Sequence, residues 1–182
     1  MSNEDNKIVS FGDFNNEKGF KVVNERSMRA SAGIMFIMGL VAFINGFILQ
    51  NYIVIPYISG ILLVNFLIGV LINPKFAPIM FIGNLIVRKQ EPILIGAIQK
   101  RFAWSLGIVL SAAIFVISFK LLNDVSFFEP VCFLCLICLI ILFFETAFGI
   151  CIGCKTYYLA IKLKLLKKPE VKPNCMGDSC DV

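Results

Sequence analysis

Four stretches of this chain are too long and too apolar for the interior of a small water-soluble domain, and that constrains the fold before anything else does. Residues 30–49, 52–72, 102–122 and 131–152 each provide about the 20 residues a helix needs to cross a hydrocarbon core of ~30 Å. The chain is 58% hydrophobic and only 16% charged, whereas soluble domains run nearer a half and a quarter. A polypeptide of 182 residues cannot enclose so much apolar surface in one core. The expected fold is therefore all-α: an integral membrane protein built as a four-helix transmembrane bundle, with the bilayer as its solvent.

The remaining segments give the order along the chain. Residues 1–25 form a polar arm with Gly12, Gly19 and no clear period. Gln50-Asn51 is a link so short that the first two spans must make an antiparallel hairpin. Asn73-Pro74 stops the second span. Between spans two and three, Pro78 and Pro92 bracket the apolar run 79–87, which is too short to cross and is expected to be interfacial or re-entrant. The fourth span follows Glu129-Pro130, since proline suits a first helical turn. It is expected to run unbroken into Tyr157-Tyr158 and the lysine-rich 160–168. The membrane domain thus covers 26–168, and residues 169–182 form a short cysteine-containing tail. No removable signal sequence is evident at the start.

Charge sets the expected orientation. Of seventeen Lys and Arg residues, sixteen flank the starts of spans one and three or the ends of spans two and four, and only Lys120 lies on the opposite side. Positive residues mark the cytoplasmic face, so both termini are expected inside, in a plasma (inner) membrane. The same placement beside hydrophobic spans points to anionic lipid and not to nucleic acid. Histidine is absent. That removes His-based acid–base catalysis, Ser–His nucleophiles and His-ligated metals. No nucleotide loop or haem-type ligand set is visible either; no cofactor is expected, and nothing marks the chain as an enzyme.

Seven cysteines are many for this length, and all fall after residue 130. Cys132, Cys135 and Cys138 are spaced by three near the outer end of the fourth span. They read either as packing residues or as outer thiols, with Cys132 in the first turn after Pro130 and able to pair with Cys135. Cys151 and Cys154 form a further C-x-x-C, which on an unbroken helix lies about 28 Å from the first group. Glu145 is a carboxylate in an apolar run, costly there if ionised and facing lipid; it is either paired, with Lys120, Arg88 and Arg101 as candidate partners, or protonated or hydrogen-bonded simply to hold the bundle together. On a continuous helix Glu145, Gly149 and Gly153 share an inward face with Cys135 and Cys138, the glycines allowing a neighbouring helix close. Cys151 and Cys154 then point away from that face near the cytoplasmic boundary, and read either as a reactive or metal-linked dithiol or as plain packing. In the tail, Cys175 and Cys180 could form a loop disulfide, pass thiols to a partner, or complete a four-sulfur metal site with Cys151 and Cys154.

The blocks Asn24-Glu25-Arg26…Arg29-Ala30, Asn73-Pro74-Lys75, Lys100-Arg101-Phe102-Ala103-Trp104 and Glu145…Phe148-Gly149-Ile150-Cys151-Ile152-Gly153-Cys154…Tyr157 resemble the bacterial multi-pass membrane family known as domain of unknown function 4395. The likeness covers roughly residues 20–165, and the F-G-x-C-x-G-C-x-x-Y run is its most specific part. Cys132, Cys135 and Cys138 lie outside that pattern. The resemblance implies a small membrane protein without an assigned activity. It puts weight on Glu145, Gly149, Cys151, Gly153, Cys154 and Tyr157, and it suits thiol or sulfur handling with thioredoxin-like or sulfurtransferase partners.

Three functions are compatible with these residues. The first is thiol redox or sulfur handling through Cys151, Cys154, Cys175 and Cys180. The second is a small transporter or channel lined by Glu145 with Asn45, Asn65 or Asn84, which would need homo-oligomerisation because four helices make a thin pore wall. The third is a structural membrane subunit with no chemistry of its own.

Overall fold

A computed structural model describes residues 10–166. Four helices are long and apolar enough to cross a membrane: α1 (Glu25–Phe47), α2 (Val54–Leu71), α4 (Ala97–Leu121) and α5 (Phe128–Phe148). Each packs on two others, in the cyclic order α1, α2, α4, α5. The fold is the all-α four-helix bundle expected from the apolar spans. We call the end that carries the start of α1 and the end of α5 the near end. The loops 48–53 and 122–127 mark the far end.

The bundle is greasier outside than inside. Ile37, Tyr57, Val109, Phe133 and Leu136 are exposed, while Ser31, Ser59, Ser111 and Ser118 are buried. These four hydroxyls donate to carbonyls of their own helices, for example Ser59 to Ile55 at 2.8 Å and Ser111 to Gly107 at 2.7 Å, so none of the four is stranded in the bundle. Lipid supplies no hydrophobic drive for helix association, which leaves close packing over small residues to hold the bundle. The ring of Phe66 lies against Gly107 and that of Trp104 against Gly69.

The segment between the second and third spans is the short helix α3 (Pro78–Ile86), preceded by a single 3-10 turn at Pro74–Phe76. The side chain of Asn65, buried within α2, accepts the Ile79 amide at 2.9 Å and so caps α3. Asn65 lies six residues inside the end of α2, about 9 Å by helical rise, so the chain dips back among the helices before α3 leaves along α1. Gly83 meets the backbone of Ser27 and Ser31 there. Without Asn65 the Ile79 amide would be unpaired at that depth, a penalty on the order of 1–3 kcal/mol.

The near end also carries a small antiparallel sheet. Strands β1 (Asp13–Asn15), β2 (Phe20–Asn24) and β3 (Leu94–Gly96) pair in that order, with Val22 opposite Gly96. Phe11, just before β1, sets its ring edge-on against Trp104 at 5.8 Å and anchors the sheet to the bundle. Asn24 ends β2 and caps α1 by accepting the Arg26 amide.

The expected course of the fourth span fails. The fourth span does not continue through Cys154: α5 ends at Phe148, and a separate helix, α6 (Ile152–Lys162), packs back on α4. Gly149 holds a left-handed conformation (φ 68°) that stops α5. The Arg29 guanidinium seals the break, donating to the carbonyls of Thr146 at 3.0 Å and Ala147 at 3.2 Å. A side chain at Gly149 would meet that guanidinium at 2.9 Å. The inward face drawn through Glu145, Gly149 and Gly153 therefore does not exist, and the 28 Å separation of the cysteine groups, which assumed a straight helix, does not apply beyond residue 148.

Candidate functional site

The near ends of three helices converge on one buried ion cluster. Lys100, in the first turn of α4, places Nζ 2.8 Å from Glu145 Oε1 on α5 and 3.1 Å from Glu25 Oε2 at the start of α1. Exposures are 1% for Lys100, 3% for Glu25 and 15% for Glu145. Lys100 Nζ also donates to Glu25 Oε1 at 3.5 Å, so it reaches both oxygens of that carboxylate. Two carboxylates face one ammonium, and the Arg29 guanidinium is near enough to act electrostatically on Glu25 as well.

Glu145 is thus paired as its apolar setting requires, but not with the expected residue. Lys120 lies at the far end of α4, and Arg88 is exposed beyond α3. Arg101 follows Lys100, but one residue turns a helix by about 100°. Its side chain is exposed and borders a shallow basic recess with Lys21 and Ser10.

Beside this cluster, Cys151 and Cys154 are brought together as a disulfide with Cα atoms 5.2 Å apart. Cys151 is the N-cap residue of α6, and its Sγ accepts the Cys154 amide at 3.2 Å. First-turn amides stabilise a thiolate over a thiol, and Cys151 offers its sulfur to that position. Cys151 is half-buried, whereas Cys154 is 5% exposed. The pair is held by the docking of α6 on α4. Gly153 lies so close to Ala103 that a Cβ would fall 2.5 Å from the alanine methyl. Tyr157 is buried against Phe102, with ring centroids 5.5 Å apart, and burial pushes its hydroxyl pKa up, keeping it neutral.

Above the cluster the bundle encloses a chamber of about 300 Å³. Its wall includes Phe66 and Trp104 from α2 and α4, Cys138 and Glu145 from α5, and Cys151 at the near end. The chamber therefore joins Glu145 and Cys151, which a straight helix would have pointed apart. Cys138 lines it, whereas Cys132 and Cys135 do not. All three are free thiols, Cys135 buried and the other two half-buried, so the outer pairing of Cys132 with Cys135 is not formed. Asn45 and Asn84 lie outside the chamber wall, and Asn65 is committed to capping α3.

Cys175 and Cys180 lie outside the described residues. Among the described residues no group of three or more metal-ligating side chains comes together. Sequence reasoning missed Glu25, Arg29 and Lys100 as partners of the site. All three belong to the blocks Asn24–Ala30 and Lys100–Trp104, and an acid and a base inside otherwise apolar flanks were the available signal.

The architecture is that of a multi-span membrane protein whose near end unites a buried ion cluster, a cysteine pair and an apolar chamber. The chain belongs to the family described as Domain of unknown function (DUF4395), which matches residues 23–162 and so every helix from α1 to α6. No curated protein and no solved structure matches the chain.

Proposed function

We propose that this protein is a membrane-boundary thiol–disulfide carrier in which Cys151 and Cys154 exchange electrons with a soluble thioredoxin-like or sulfurtransferase partner. The observation that carries this reading is the cysteine pair at the N-cap of α6, with one sulfur accessible and the other buried. Cys151 is the sulfur a partner meets. A partner thiolate attacks its Sγ and releases the Cys154 thiolate. A second partner thiol then displaces Cys151 from the mixed disulfide, so two electrons enter the pair and the partner leaves as a disulfide. Cys175 and Cys180 are suited by sequence to act as a tethered shuttle.

Replacing Cys154 by serine leaves Cys151 as a lone nucleophile. Added to a partner disulfide, it should accumulate a stable mixed disulfide on non-reducing gels, identified by mass spectrometry. Cys151→Ser should accumulate none while remaining folded. Equal trapping by both variants would remove the assignment.

We also propose that both termini face the cytoplasm of a plasma membrane. Support comes from the near end, where every described Lys and Arg except Lys120 is gathered. Reporter tags fused separately to the two ends should both read cytoplasmic; a periplasmic or extracellular signal from either would discard this topology.

A further inference from the structure

The chamber has no role in exchange with a soluble partner, and its chemistry suits a different reactant. It is lined along α4 from Ala103 to Ile114, a length of about 16 Å by helical rise. Its volume of about 300 Å³ is at the low end for small-molecule sites, enough for one ring system and the start of a tail but not for a dinucleotide. The wall has no Lys or Arg to meet a phosphate. The hydroxyls of Ser59, Ser111 and Thr156 are already donated to carbonyls of their own helices. Apart from Glu145, Cys138 and Cys151, what remains is apolar and aromatic. Leu106 forms part of the wall and is 41% exposed, which suits entry from the side, past Leu106 between α4 and α5, for a ligand dissolved in the surrounding lipid. Cys151 closes the other end.

A ligand that enters from lipid, is flat and apolar, and reacts with a dithiol is a lipid quinone. We propose that the chamber binds a quinone ring and that the reduced Cys151/Cys154 pair passes two electrons to it; this rests on the dithiol reading above. The balance is closed: two S–H bonds break, one S–S bond forms, and two electrons with two protons convert the quinone to its quinol. Glu145 borders the same chamber with one oxygen held by Lys100, which puts a carboxylate on the wall that Cys151 also lines. The protein would thus drain electrons from soluble thiols into the membrane quinone pool.

The test uses the full chain in lipid nanodiscs, reduced with a phosphine that is then removed. The probe is a benzoquinone with every ring carbon substituted and a short alkyl tail, so that thiols cannot add to the ring. Quinone absorbance is followed together with alkylation of Cys151 and Cys154. One quinol per protein is expected as both thiols become protected, with loss of the reaction in Cys151→Ser. Leu106→Trp, at that side entry, should slow quinone reduction at least tenfold while leaving exchange with glutathione disulfide unchanged. Ile137→Trp on the facing helix should do the same if the first variant folds poorly. Reduction at the parental rate in both variants would overturn the chamber as the site. Normal exchange with glutathione disulfide but no quinol formation would overturn the quinone inference and leave the carrier standing. Failure of both reactions in the parent protein would remove both.

Discussion

Replacing Lys100 by methionine should unfold much of the protein in detergent, with a loss on the order of 3–5 kcal/mol, the usual penalty for removing one member of a buried ion cluster. The ammonium is 1% exposed and is the cation 2.8 Å from Glu145 and 3.1 Å from Glu25. Without it, two carboxylates from different helices are left close together and away from water, and they repel in a medium that screens them poorly. Methionine keeps the length and apolar stem of lysine, so the change removes charge with little change in packing. The decisive comparison is the triple variant Lys100→Met, Glu25→Gln, Glu145→Gln, in which no charge remains to be stranded. It should regain most of the lost thermal stability. A single variant that melts with the parent protein, or a triple variant no more stable than the single, would show that the cluster does not hold the three helices together.

A substitution at Gly153 should act on the site without touching a sulfur. Valine there would put its Cβ 2.5 Å from the Ala103 methyl and 2.8 Å from the Ala103 Cα. The second of these is backbone and cannot move aside, so α6 must lift from α4 at a cost of about 1–3 kcal/mol. Each 1.4 kcal/mol lost from docking raises the undocked population about tenfold. In the reduced protein, Cys154 should therefore be alkylated roughly tenfold faster or more, while Cys135, buried in α5, keeps its parental rate. Unchanged Cys154 labelling would mean that α6 does not depend on this contact. Acceleration at both cysteines would mean that the whole bundle had loosened and not α6 alone.

Both predictions turn on residues whose chemistry was visible along the chain and whose partners were not. Glu145 stood out as a carboxylate in an apolar run, and the need for a cation followed from the cost of burying it. Choosing Lys100 over Arg101 depended on the rotation of α4 about its own axis, since neighbouring residues on a helix point about 100° apart. That rotation is set by Trp104 fitting against Gly69 and Phe66 against Gly107, contacts between residues far apart in sequence. The break after α5 was hidden for a related reason. Phe148-Gly149-Ile150-Cys151 contains no polar residue to mark an end, and a lone glycine within an apolar run is compatible with a helix. Arg29, more than a hundred residues earlier, supplies the donors that stabilise the exposed carbonyls. The sheet was equally illegible, because β2 and β3 lie about seventy residues apart and each is too short to carry a period of its own.

The number of spans, the hairpin between the first two, the short non-crossing segment after Asn73 and the family were all determined by the amino-acid sequence alone. The reason is that hydrocarbon imposes a length and a polarity on every segment that crosses it, whatever its neighbours are. The identity of the carboxylate's partner, the separation of α6 from α5, the meeting of Cys151 with Glu145 at one chamber and the capping of α3 by Asn65 were decided only in the tertiary structure. Each of these depends on the angle and depth at which one helix meets another, and close contacts between distant residues set both.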